Sequence, residues 1–223
     1  HNQSRRQRQM CIRDRLYGTI MASILGIDTI QNTVGTTAAT IDNSGYITVS
    51  QPVLARMVMV GNQTNLNDQT FNKLKLDQAI IDTKSGFDNS NDQYVIPVAG
   101  YYRIYAQAFI GVDDEAGSIR DSGIVITRTR SSTETQIAYS TNRHRDGGGQ
   151  DQDDAMVHTY TIDQCQAGDK ITVYVYCNTD TNNPYDVFSD IDAGNDNSHL
   201  NSGIPGTGGG EGRITYVIVE RII

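Results

Sequence analysis

The side chains that could carry chemistry fall in a few short clusters. Carboxylates crowd at Asp113-Asp114-Glu115, at Asp151, Asp153 and Asp154, and at Asp190, Asp192 and Asp196. The last group lies in "DIDAGND", where closely spaced oxygens could replace the hydration shell of a calcium ion. A calcium loop counted from Asp190 should close on a bidentate Glu, and that position holds Asn201. Calcium is therefore the one cofactor left open, beside the plainer reading of a solvated loop. In "NRHRDGGG", Arg143, His144 and Arg145 stand next to glycines. Such guanidinium groups suit bidentate contact with acidic glycans, or simply keep a loop soluble. The glycine run at 203–212 precedes a strand rather than a helix, so it aims no helix N-terminus at a phosphate. No HExxH, GxSxG or P-loop occurs. Paired carboxylates hydrolyse glycosides only at a set separation, which sequence spacing does not supply. The expectation is a protein that binds and does not catalyse.

These groups need elements to position them, and the sequence offers strands. The chain has 223 residues, 37% of them hydrophobic, enough for a packed core. Apolar runs recur at 54–60, 71–82, 93–97, 101–111, 123–129, 135–139, 156–162, 171–177 and 213–222. Polar, turn-rich stretches separate them, and none shows a helical period. Eight or nine short strands without a blade-length repeat predict a sandwich or jelly roll. No stretch approaches the length of a membrane span, so no membrane insertion is expected. The net charge is −8, yet residues 1–20 carry +4, leaving −12 on the remainder. A body that acidic argues against a nucleic-acid partner.

Three cysteines, Cys11, Cys165 and Cys177, form no CxxC pair. If Cys165 and Cys177 flank a hairpin turning at Ala167-Gly168, the second thiol runs about seven residues past the partner of the first. At roughly 3.3 Å per residue that is beyond bonding reach, so both are expected to be reduced and buried.

The stretch "QYVIPVAGYYRIYAQAFI" is the most informative. Pro97 cannot donate to a ladder and should end one strand, and Gly100 reads as the tight turn before the next. Tyr102, Ile104, Ala106, Ala108 and Ile110 then alternate with Tyr101, Arg103, Tyr105, Gln107 and Phe109. The first set should face a core. The second is too aromatic for a face left in water.

In order, Phe71, Gly86-Phe87, Pro97 to Gly100, Tyr101-Tyr102, the Gly168-Asp169 turn in "CQAGDKITVYVY" and the terminal "RITYVIVERI" resemble the C1q-like jelly roll. That is the globular head shared by complement and tumour-necrosis-factor relatives. The resemblance spans about residues 53–223 and implies an all-β, two-sheet antiparallel sandwich. No collagen-like Gly-x-y period precedes it. It also implies a homotrimer in which outward aromatics pack around a threefold axis. Here these are Tyr101, Tyr105 and Phe109, joined by Tyr174 and Tyr176. The loops 142–154 and 186–212 would crown such a trimer, with Arg143, His144 and Arg145 as candidate receptor contacts.

The opening "ILGIDTIQNTVG" resembles structural and tail-fibre proteins of marine bacteriophages. The expected organisation is a non-native or flexible leader (1–20), a short β-rich stem for attachment to other virion proteins (21–51), and a jelly roll (52–223). The expected function is a tail-fibre or appendage head on the virion surface, binding a host glycan or protein. A capsid-decorating or head-fibre protein without a ligand, or a secreted cellular adhesin, are the alternatives. "RQMCIRDR" resembles translated sequencing-adapter sequence, and Met21 reads as a natural start. Deleting residues 1–20 is expected to leave folding and oligomer size unchanged by circular dichroism and light scattering.

Overall fold

The computed structural model describes residues 29–31, 33–35, 37–49, 52–112, 118–143, 154–189 and 214–222. Two compact units divide the chain, residues 1–50 and 51–223. The first contains a meander of β1 (Thr29–Gln31), β2 (Thr37–Ile41) and β3 (Ile47–Val49). Its second turn is built locally, with the Asp42 carboxylate accepting from the N–H groups of Ser44 and Tyr46. Gly45 takes the left-handed conformation that this turn requires. Ile30, Val34, Tyr46 and Ile47 are exposed, so the described part of this unit buries little of its apolar surface.

The second unit is a sandwich of two antiparallel sheets without a helix among its described residues. One sheet runs β13 (Asp154–Cys165), β10 (Gly100–Gly111), β16 (Tyr216–Arg221), β4 (Leu54–Val58) and β7 (Gln78–Asp82). Beyond the end of β16, β15 (Tyr185–Phe188) takes its place beside β10, followed by β5 (Gln63–Leu66). The other sheet runs β12 (Thr133–Arg143), β11 (Ile119–Arg130), β14 (Lys170–Thr179), β9 (Gln93–Val95) and β8 (Phe87–Asp88), with β6 (Asn72–Lys73) also on β14. The core lies between them. Tyr102, Ile104, Ala106, Ala108 and Ile110 of β10 are wholly buried and belong to one cluster with Ile124, Ile126, Val173 and Val175. Strand alternation of period two accounts for this sorting.

Two connections differ from the sequence expectation. The segment after Pro97 is no hairpin, because β9 and β10 belong to different sheets and Gly100 is already inside β10. Likewise β13 and β14 are not ladder partners, since the chain changes sheets at Gly168. Both cysteines there are nonetheless buried and unbonded, and burial pushes each thiol up to about 12. Strands β5 and β15 were hidden in stretches that read as polar loops. Tyr185 and Val187 of β15 are buried, so the long loop before the last strand begins as part of the core.

The two sheet-changing connections are fastened to each other. Ile96 N–H donates to Asp169 O at 2.8 Å, and Gly168 N–H donates to Ile96 O at 2.8 Å. Gly168 adopts φ +87°, which glycine tolerates best. The Asp169 side chain is only 3% exposed. It accepts from Gln166 N–H at 2.7 Å and from Arg130 Nη2 at 2.6 Å and Nε at 3.0 Å. Burial pushes this carboxyl up, but the Arg130 and Gln166 hydrogen bonds and the charges of Arg130 and Arg128 outweigh it and hold it below 3.8. Arg130 and Arg128 also donate to Gln164 O, and Arg128 pairs with Asp163. These arginines on β11 thereby tie down β13 of the opposite sheet.

The Gly86-Phe87 step has a steric cause. A Cβ on Gly86 would lie 2.6 Å from both the Tyr94 ring and the Val95 carbonyl oxygen. Val95 N–H donates to Gly86 O at 2.7 Å, so the backbone there cannot retreat. Gly86→Ala is expected to cost about 2 kcal/mol in urea denaturation. Asp169→Asn is expected to cost about 2 kcal/mol at neutral pH, because it weakens the hydrogen bonds to a buried carboxylate. A carboxyl held below its unfolded value stabilises the fold above that value, and this contribution disappears as pH falls through the folded pKa. The wild-type urea midpoint should therefore fall more steeply below about pH 4 than that of Asp169→Asn.

Candidate functional site

Two outward faces concentrate the side chains that a partner could use. On the seven-stranded sheet, antiparallel register sets Tyr160 of β13 opposite Tyr105 of β10, then Ile218 of β16, Arg56 of β4 and Ile81 of β7. The neighbouring row holds Ile162, Arg103, Glu220 and Leu54, with Arg103 and Glu220 paired at 3.2 Å. Tyr160 is 71% exposed and Ile162 57%, and Tyr101 and Met156 also project. Among the described residues this face mixes these apolar side chains with Arg56, His158, Gln107 and the Arg103–Glu220 pair.

Tyr105 and Phe109 contribute to this face less than their types suggest. The Tyr105 ring lies 5.7 Å from Tyr216 and 6.3 Å from His158, and its hydroxyl donates to Gln107 Oε1. Burial pushes the phenol up to about 12. Phe109 lies 5.9 Å from Phe188, and Arg56 covers Tyr216 at 5.1 Å. Tyr105 and Phe109 are half-buried within their own chain.

The second face is the outer side of the six-stranded sheet. Phe71, just before β6, stands 5.2 Å from Tyr176 and 6.4 Å edge-on from Tyr139. A cleft of about 530 Å³ opens here, lined by these rings with Thr141, Asp121 and Arg143. Gly123 lies between Tyr176 and Thr141 in the register, where the missing side chain deepens the floor. Arg143 Nε donates to Asp121 Oδ1 at 3.1 Å, and Asn178 donates to Oδ2 at 3.0 Å. On the other side of Phe71 a second cleft of about 300 Å³ is lined by Tyr174, Val125, Thr127, Glu134 and Gln136. Thr127 Oγ1 donates to Glu134 Oε1 at 2.7 Å. Burial pushes the Tyr174 phenol up, and its hydrogen bond with Glu134 adds to the shift.

Comparison with solved structures identifies the scaffold. A structure of Eiger TNF from S. frugiperda matches with TM-score 0.52 at 10% identity, covering 78% of this chain and 94% of that one. The fold is a tumour-necrosis-factor-like jelly roll. The crystal structure of murine APRIL at pH 8.5 aligns with TM-score 0.42 at 12% identity, covering 62% of this chain and 98% of that one. No family model and no curated protein sequence matches the chain.

The jelly roll separates residues that the sequence reading grouped. Tyr101, Tyr105 and Phe109 lie on β10, whereas Tyr174 and Tyr176 lie on β14, on the outward side of the other sheet. The five aromatics therefore occupy opposite faces of the sandwich and cannot line one patch. Arg143 is not in a loop: it ends β12 and sits at the mouth of the larger cleft. His144 and Arg145 lie outside the described residues, as do Asp190, Asp192 and Asp196. Among the described residues no three His, Cys, Asp or Glu side chains are grouped as metal ligands. No described helix is long and apolar enough to cross a membrane.

The sequence reading missed Met156, Tyr160 and Ile162, although the signal was present. "AMVHTYTI" alternates like β10, with Val157 buried and Met156, Tyr160 and Ile162 outward. Phe71 and Tyr139 had no such signal. Phe71 lies outside any regular alternation, and β12 carries mostly polar side chains on both faces.

Proposed function

We propose that this chain is the non-catalytic, homotrimeric head of a virion appendage that binds the host cell surface. The observation that supports the trimer is the exposed apolar cluster of Tyr101, Met156, Tyr160 and Ile162 on the β13 side of the seven-stranded sheet. Large contiguous apolar patches are uncommon on monomers. In the family that the sequence resembles, this kind of face packs around a threefold axis. Covering Tyr101, Met156, Tyr160 and Ile162, at ~25 cal/mol per Å² over ~100 Å² each, gives on the order of 10 kcal/mol per subunit before entropy costs. The Arg103–Glu220 pair within the face would set register between copies.

Attachment to a virion is supported by the N-terminal sequence, which resembles phage tail-fibre openings, and by the three-stranded meander of which it forms the first strand. Host binding follows from repetition, since three weak sites on rigid sheets engage a repetitive surface by avidity. Labelled antibody on purified virions tests the location directly.

The wild-type protein is expected to have the mass of a trimer in light scattering. Tyr160→Asp should reduce it to a monomer, whereas Tyr139→Asp, on the opposite sheet, should not. A wild-type monomer would overturn the trimer and the avidity mechanism together.

A further inference from the structure

We infer that the paired clefts around Phe71 form a binding site for a neutral oligosaccharide, one sugar ring on each side of the Phe71 side chain. This rests on reading the chain as a host-binding head, and it names the site and the ligand class.

The lining has the two parts that sugar recognition needs. Aromatic rings offer faces for the C–H side of a pyranose, and planar polar groups bridge neighbouring hydroxyls. Phe71, Tyr139 and Tyr176 supply the rings of the larger cleft, with Asp121 and Arg143 at its rim. Tyr174 supplies the ring of the smaller one, with Glu134 and Gln136. Each cleft thus sets aromatic walls beside polar groups, the two components of a small-ligand site. The polar groups are held in place: Asp121 by Arg143 and Asn178, Glu134 by Thr127. Tyr174 and Tyr176 are two residues apart on one strand, so the clefts are about 7 Å apart, close enough for one oligosaccharide to reach both.

Charge decides the class of sugar. Arg143 already neutralises Asp121, and Glu134 leaves a negative balance across the two clefts. An acidic glycan would meet that carboxylate and the Asp121 carboxylate beside Arg143. A neutral chain meets neither obstacle. The face is also the one left open if the seven-stranded sheet is covered in a trimer.

The test is calorimetric titration of the full chain with maltotetraose, cellotetraose and mannotetraose, and with sialyllactose as the acidic probe. At least one neutral tetrasaccharide should bind. Phe71→Ala and Tyr139→Ala should each weaken it about tenfold or more. Phe71→Leu keeps apolar bulk, so it preserves folding while removing the ring, and it should lose affinity equally. No binding of any neutral probe, binding of sialyllactose alone, or undiminished binding by the Phe71 variants would overturn the site. The two readings fail separately. A trimer that ignores sugars rejects the clefts alone, and a monomer that binds them rejects the trimer alone.

Discussion

The buried carboxylate of Asp169 sits where the fold has least freedom. A jelly roll requires the chain to leave one sheet and enter the other at each end, and each change costs two strands their ladder partners. At this corner the crossings at Pro97 and Gly168 satisfy each other through Ile96, and Asp169 ties that corner to Arg130 on β11. The registers of β10 and β14 both start here. Their buried residues, from Tyr102 onward and from Ile171 onward, are aligned by it. An ionised group anchors this corner, and a buried carboxylate must be kept charged by its partners.

With the registers set, the outward residues divide into two faces of different character. The seven-stranded sheet turns out exposed apolar side chains along β13, with charged groups beside them, which suits a flat contact with another protein surface. The six-stranded sheet turns out separated rings with polar groups between them, which suits a small ligand. Period-two alternation ensures that neither face borrows residues from the other. Substitutions that alter one can therefore leave the other intact, provided that the shared core keeps its volume.

Much of this was legible in the sequence because β-strand alternation is a local signal. The inward set of β10 could be read directly, since five apolar residues at period two have no competing helical interpretation. Sheet membership could not. Whether Pro97 to Gly100 makes a hairpin or a crossing depends on where β16 and β13 lie, and both are far away in sequence. The same gap led Tyr174 and Tyr176 to be grouped with the β10 aromatics: each was correctly read as outward, but outward from a different sheet. Strand β15 was obscured because its four residues follow a run of Thr, Asn and Pro, and only contact with β10 and β5 makes it a strand.

Strand β13 also exposes the molecule to a hazard before it has any partner. Among the described residues it pairs with β10 along one side only, and its other edge lies beside β11 and β12 of the other sheet. Side chains of the adjacent sheet occupy the two ends of that edge. Asn142 caps the carbonyl of Met156, and Arg128 and Arg130 cap that of Gln164. Between the caps lies a short β-prone stretch carrying Tyr160 and Ile162, the residues that project furthest. A strand edge left without ladder partners is a template for adding strands from other chains. If the chain assembles as proposed, a newly made copy would race between ordered assembly and indiscriminate aggregation, and the local abundance of its siblings would decide the winner.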